Sequence, residues 1–199
     1  MIQQDIPVTG VILAGGMARR MGGQDKGLLD VGGVPMAARI ADALRPQVEH
    51  LLVNANRNAE AYRRLCGCPV INDVIGEFAG PLAGMLSTLL AAEGMAVLTV
   101  PCDSPLLAHD YRQRMQEALL SADAELAVAE GAGRSQPVFT LLRPELADSL
   151  RQFLEAGERK IDLWYARHRV AKVDFADRDT MFLNINTPED RTRIEAYLR

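Results

Sequence analysis

Residues 8–26 read VTGVILAGGMARRMGGQDK, and their reading decides the fold. An apolar, β-branched run from Val8 to Ala14 has the composition of a buried strand, and at Gly15 it gives way abruptly to a loop of glycines and cations. Glycines at 15, 16, 22 and 23 let backbone N–H groups approach an anion with no Cβ in the way, while Arg19, Arg20 and Lys26 supply charge. A triphosphate suits such a cradle. The loop matches neither GxxxxGK[ST] nor GxGxxG, so P-loop hydrolysis and nicotinamide binding lack their fingerprints.

Further strand-like runs lie at 50–56, 68–73, 95–101, 125–130, 137–142 and 182–186, with amphipathic helical patterns between most of them. Met36, Ile40, Ala43 and Leu44 form one apolar stripe; Leu82, Met85, Leu86, Leu89 and Leu90 form a second; Leu146, Leu150, Phe153 and Leu154 form a third. Nearly continuous apolar strands alternating with such helices predict an α/β fold, a three-layer α/β/α sandwich of Rossmann-like kind around a mostly parallel sheet. Only the short loop GAGRSQ separates the runs at 125–130 and 137–142, which predicts an antiparallel excursion there. The last helix is expected to start at Thr187, with Thr187 as cap, Pro188 in the first turn, and Glu189 and Asp190 facing the positive end of the dipole. No linker, repeat or low-complexity tract interrupts the chain, so residues 1–199 are expected to form one domain.

Composition narrows the classes of function. The chain has 199 residues, 48% of them hydrophobic and 24% charged, with a formal net charge of −4, which argues against a general nucleic-acid binder and for a small anionic ligand. No run is long and apolar enough to cross a bilayer, and a cytoplasmic protein is expected. Cys66, Cys68 and Cys102 make no CxxC pair and read as buried or incidental thiols. His50, His109 and His168 show no metal-ligand spacing, and no serine, histidine and carboxylate set recommends a hydrolase.

In a parallel sheet, ligands bind beyond the carboxyl ends of the strands. Four polar segments hold that position: the glycine-rich loop, NANRN after Val53, ND after Ile71, and CDSP after Pro101. Asn54 and Asn56 are either strand-end turn formers or amides that read a purine or ribose, and Asp73 has the same two readings. Asp103, stiffened by the following Ser-Pro, suits Mg²⁺, which takes one or two protein carboxylates and draws its other ligands from water and phosphate.

Taken together, these residues resemble the molybdenum cofactor guanylyltransferases. GVILAGGMARRMGGQDKGLL is similar to the nucleotidyltransferase signature LAGGxxxRMGxDK, and the similarity continues through LLVNANR, GPLAGMLS, VPCDSPLL, QPVFTLL and FLNINTPED over nearly the whole chain. The resemblance implies transfer of GMP from GTP to molybdopterin, or to its molybdenum-bearing form, with release of pyrophosphate and a requirement for Mg²⁺. It places GTP on Leu13, Ala14, Gly15, Gly16, Lys26, Asn54, Asp73 and Asp103, in the N-terminal part, with Asp103 also the metal ligand. It places the pterin in the C-terminal part, on Asn184 and Asn186, of which Asn186 is alternatively a metal ligand. Arg20, Lys26 and Asp103 are the expected catalytic residues. A monomer is expected, handing product to cofactor-insertion proteins and molybdoenzymes. Ala18 stands where many relatives carry a hydroxyl, so no side-chain contact to phosphate is expected there. The competing readings are a nucleotidyltransferase with another base or acceptor, such as a molybdopterin cytidylyltransferase or a sugar-phosphate enzyme, and a GTP-binding protein without transfer chemistry, against which the missing Walker A counts.

Overall fold

The computed structural model describes residues 5–15, 25–76 and 80–198. Its first strand, β1 (Val8–Leu13), is buried along its whole length. Alternate residues of β1 face two separate cores: Val8 and Ile12 point into one, Val11 and Leu13 into the other. A strand buried on both faces needs an apolar residue at nearly every position, which is why VTGVIL shows no alternation.

The first core is closed by α1 (Met36–Leu44), α2 (Ala59–Cys66) and α4 (Tyr111–Ser121). The second is closed by α3 (Pro81–Ala91), α5 (Leu146–Glu155) and α6 (Ile161–Tyr165), the last burying Trp164 and Tyr165. Between the two helical layers lies a sheet in the order β5 (Val70–Ile71), β4 (His50–Asn54), β1, β6 (Ala96–Pro101), β8 (Arg134–Leu142), β7 (Leu126–Gly131), β9 (Val170–Asp174). β8 runs antiparallel to β6 and β7, and the other pairings are parallel. The three-layer, mostly parallel sandwich and its antiparallel excursion are therefore as the sequence predicts. A small hairpin of β2 (Asp30–Val31) and β3 (Val34–Pro35) carries Val31 onto Ile185 and Ile194 of the C-terminal segment. No helix among the described residues is long and apolar enough to cross a membrane.

Three expectations are corrected. Residues 182–186 are not a strand: Phe182 ends a 3₁₀ segment, Ala176–Phe182, and the residues after it run as a loop. The edge position belongs to β9, whose Ala171 and Val173 are buried while Lys172 and Asp174 are exposed, an alternation diluted by the polar residues an edge strand carries. Leu90, placed on the α3 stripe by its spacing, is 41% exposed.

The C-terminal helix, α7 (Pro188–Tyr197), starts as expected, with a reciprocal cap. Thr187 Oγ1 accepts from the Asp190 N–H at 3.1 Å, and Asp190 Oδ2 accepts from the N–H groups of Thr187 and Asn186, both at 3.0 Å. The Asn186 N–H, and after it Thr187, hold the Asp190 carboxyl below its ordinary value of 3.8. A depressed carboxyl stabilises the fold above its unfolded value, and the contribution is lost as pH falls through the folded one. Asp190→Asn is expected to lower the urea midpoint at neutral pH, with the difference from wild type shrinking as acid protonates the depressed carboxyl; a difference that persists once the carboxyl is protonated would show that the charge is not responsible. Thr187→Ala is expected to cost about 1 kcal/mol in the same assay.

Candidate active site

Parallel register sets the site. Leu13 at the end of β1 is level with Asn54 of β4 on one side and Pro101 of β6 on the other. The ladder continues one step, with the Ala14 N–H on the Asn54 carbonyl at 2.8 Å and the Cys102 N–H on the Leu13 carbonyl at 3.1 Å. The segments beginning at Ala14, Ala55 and Cys102 consequently leave the sheet side by side. They open onto a cleft of about 580 Å³ whose lining includes Leu13, Gly15, Asn54, Asp73, Asp103 and Asn184.

On the β4 side, two amides grip one carboxylate. Asn54 Nδ2 donates to Asp73 Oδ1 at 2.9 Å, Asn56 Nδ2 donates to Asp73 Oδ2 at 2.8 Å, and the Asp73 N–H returns a bond to Asn56 Oδ1 at 2.9 Å. The asparagines shape the strand ends and orient Asp73. Asn54 is buried, and its position depends on Gly84 of α3, where a Cβ would lie 2.3 Å from Asn54 Oδ1. Gly15 stands against the same group; a Cβ there would come within 3.6 Å of Asn54 Oδ1 and 3.8 Å of Asp73 Oδ2, filling part of the cleft.

On the β6 side, Lys26 Nζ donates to Asp103 Oδ2 at 3.0 Å and to Asn186 Oδ1 at 2.5 Å. Lys26 is fixed through its neighbour. The Asp25 carboxylate accepts from the Tyr62 hydroxyl and, at 3.1 Å, from Asn58 Nδ2. Burial pushes the Tyr62 phenol far above its usual range, so it remains a proton donor. The NINTP loop is tied to the CDSP turn by Ser104 Oγ donating to Asn184 Oδ1 at 2.6 Å and by the Ile185 N–H on the Asp103 carbonyl at 3.3 Å. Burial, followed by the nearby Asp103 charge, pushes the Cys102 thiol up, which favours its neutral form.

Lys26, Asp103 and Asn186 are brought together, as are Gly15, Asn54 and Asp73, while Asn184 lines the same cleft. Gly16, Ala18, Arg19, Arg20, Gly22 and Gly23 lie outside the described residues. Tyr62, Gly84 and Ser104 were missed by the sequence reading, because each acts on a partner far away in the chain. Away from the cleft, the fold also assembles a serine, a histidine and a carboxylate that sequence order did not suggest. His168 Nε2 meets Ser149 Oγ at 2.9 Å, its Nδ1 faces Glu125 Oε1 at 3.4 Å, and Trp164 Nε1 donates to the same Ser149 oxygen at 3.2 Å. With its ring packed edge-on against Trp164, His168 serves there as a packing clamp between α5, α6 and the residue before β7.

The donor set also answers whether a divalent cation fits. Asp103 Oδ2 and Asn186 Oδ1 are hard oxygen donors already converging on one positive charge, the Lys26 ammonium. Two such protein oxygens, completed by water and phosphate, suit Mg²⁺ or a similar hard ion.

Residues 10–171 match the family model described as MobA-like NTP transferase domain. The chain is 48% identical over 187 residues to a protein of Shewanella loihica named molybdenum cofactor guanylyltransferase, covering 94% of this chain and 95% of that one. Among solved structures it is similar to molybdopterin-guanine dinucleotide biosynthesis protein A from Archaeoglobus fulgidus, with a TM-score of 0.77 at 19% identity, covering 96% and 98% of the two chains. It is also similar to a Mycobacterium tuberculosis protein crystallised with manganese, with a TM-score of 0.66 at 17% identity and coverage of 96% and 98%.

The contact between Gly84 and Asn54 yields a test by double-mutant cycle. Gly84→Ala is expected to cost about 1–3 kcal/mol in urea unfolding through the clash with Asn54. In an Asn54→Ala background the same change should cost clearly less, since the obstructing oxygen is gone; additive costs would show that Gly84 is needed for another reason.

Proposed function

The chain belongs to the MobA-like NTP transferase family and, within it, to the molybdenum cofactor guanylyltransferases; from that premise we propose that it transfers GMP from GTP to molybdopterin, or to its molybdenum-bearing form, with Mg²⁺ as the metal. The observation that carries the reading is the pairing, on one cleft, of an aimed carboxylate at Asp73 with a cation site at Lys26, Asp103 and Asn186.

Guanine offers two adjacent donors, N1–H and the 2-amino group, and a carboxylate offers two adjacent acceptors. Asp73, with each oxygen already oriented by an asparagine, presents that acceptor pair to the cleft. Cytosine has a single donor group on its pairing edge and leaves one oxygen unmatched, which favours GTP over CTP. Leu13, Ala14 and Gly15 supply the floor under the nucleoside.

The phosphate of the acceptor is already a nucleophile, so no strong base is needed. One of its oxygens forms a bond to the α-phosphorus of GTP as the bond to the pyrophosphate oxygen breaks, and the chain's task is alignment and charge. Lys26 and Arg20 offset negative charge on the phosphates. Asp103 and Asn186 would hold the metal ion, which when bound withdraws charge from the α-phosphate and the leaving pyrophosphate. Asn184, fixed by Ser104, faces the acceptor side. Because both substrates carry phosphates that do not cross membranes unaided, we place the reaction in the cytoplasm.

Purified chain with molybdopterin and Mg²⁺ is expected to release pyrophosphate from GTP, and a clear preference for CTP would overturn the base assignment. Asp103→Ala is expected to lower kcat by at least about 100-fold with the thermal unfolding midpoint retained; full magnesium-dependent turnover in that variant would remove Asp103 from the site. Lys26→Ala should weaken GTP binding in titration calorimetry, and unchanged affinity would remove Lys26.

A further inference from the structure

The cleft has a wall that the nucleotide reading leaves unused. It is formed by the start of β8, Arg134 to Phe139, which lines the same cleft as Asp73 and Asp103. Arg134 is exposed and is the only lysine or arginine among the described residues of the lining. Its guanidinium makes no hydrogen bond or ion pair among the described residues, although carboxylates elsewhere on the molecule hold Arg112, Arg114 and Arg178.

The backbone that carries Arg134 is built into place. β7 and β8 join through Ala132 and Gly133, at φ 51° and 73°, a two-residue turn of the kind that matches strand twist. The tip is then clamped. A Cβ on Gly131 would lie 2.1 Å from the Phe182 ring, so only glycine lets Phe182 close on the hairpin; the Ala132 N–H donates to Asp179 Oδ1 at 2.6 Å; and Gln136 Nε2 donates to the Gly131 carbonyl at 3.0 Å. Asp179 and Phe182 belong to the 3₁₀ segment that leads directly into Asn184, so the hairpin tip is tied to the NINTP loop.

Behind the tip the register skips. Val128 pairs with Thr140 but Ala129 pairs with Gln136, leaving Pro137 to Phe139 as a bulge in β8. The freed carbonyls are satisfied, Pro137 by the Tyr165 hydroxyl at 2.6 Å and Val138 by Thr99 Oγ1 at 2.5 Å. A bulge of this kind re-aims the strand beside it, here into the wall of the cleft.

Resting on the GMP-transfer reading, we propose that Arg134 is the acceptor-recognition residue of this enzyme, its guanidinium binding the phosphate of the incoming phosphorylated pterin. The triphosphate has Lys26 and the glycine-rich loop on the β1 side. The acceptor phosphate must approach the same α-phosphorus from elsewhere, past the carboxylates of Asp73 and Asp103, and a guanidinium on the cleft wall that is unpaired among the described residues lowers that repulsion. Its planar fork can take two phosphate oxygens at once, which orients the acceptor as well as attracting it.

The test uses the full chain and two variants, Arg134→Ala and Arg134→Lys, with KM for molybdopterin, kcat, and the Kd for GTP by titration calorimetry. Arg134→Ala is expected to raise the molybdopterin KM at least about tenfold with the GTP Kd and unfolding midpoint unchanged, and Arg134→Lys to recover part of the loss. An unchanged molybdopterin KM, or a loss that falls on GTP affinity instead, overturns the role of Arg134. A wild-type chain that releases no pyrophosphate from GTP with molybdopterin overturns the GMP-transfer reading itself, and that failure is seen without either variant.

Discussion

Level strand ends are the constraint on which the remainder of this molecule depends. Parallel pairing places Leu13 beside both Asn54 and Pro101, so three loops drawn from distant parts of the sequence must leave the sheet at the same height. They can carry polar and charged groups at a concave surface because the strands beneath are buried on both faces and hold their backbone fixed. Gly84 extends the constraint into the helical layer, since α3 has to approach β4 closely enough that no side chain fits over Asn54.

Charge is the second organising quantity. Lys26 and Asp103 are 20% and 18% exposed, so each loses much of its hydration and meets an opposite charge in exchange. Asn186 completes the ammonium's coordination from a segment 160 residues away. The pair therefore does structural work without ligand, closing the C-terminal loop onto the N-terminal one. Under the proposed function, arriving phosphates would compete for the ammonium and leave the oxygens of Asp103 and Asn186 to a cation that comes with them. The same three side chains serve both situations, which explains why a partly buried ion pair, of modest net worth for folding, stands at the centre of the cleft.

Much of this was legible in the sequence, for reasons that mark where legibility stops. The unbroken apolar run of β1, its alternation with amphipathic helices, and the Thr187 cap are local signals, and they read correctly. β9 was missed because its outward residues, Lys172 and Asp174, dilute an alternation only two residues deep. Residues 182–186 were read as a strand because Phe, Leu and Ile carry that composition, whereas their side chains are committed elsewhere: Phe182 to the face of Gly131 and Ile185 to Val31 and Ile194. Asn54, Asp73 and Asp103 could be nominated from their place after strands. That Asn54 and Asn56 act through Asp73, that Tyr62 steadies Asp25, and that Ser104 fixes Asn184 are relations between residues tens of positions apart, which no spacing rule contains.

The direction of one strand divides the cleft. β4, β1 and β6 are parallel, so their carboxyl ends supply one side with loop backbone and short polar side chains suited to a nucleotide. β8 runs the other way and brings its amino end to the same edge. A strand entering there presents a hairpin tip instead of a strand-to-helix loop, and a tip can be bulged and re-aimed without disturbing the phosphate side. Two ligands of like charge can thus be received on surfaces of different construction, one set by the parallel half of the sheet and the other by its single reversal among the described strands.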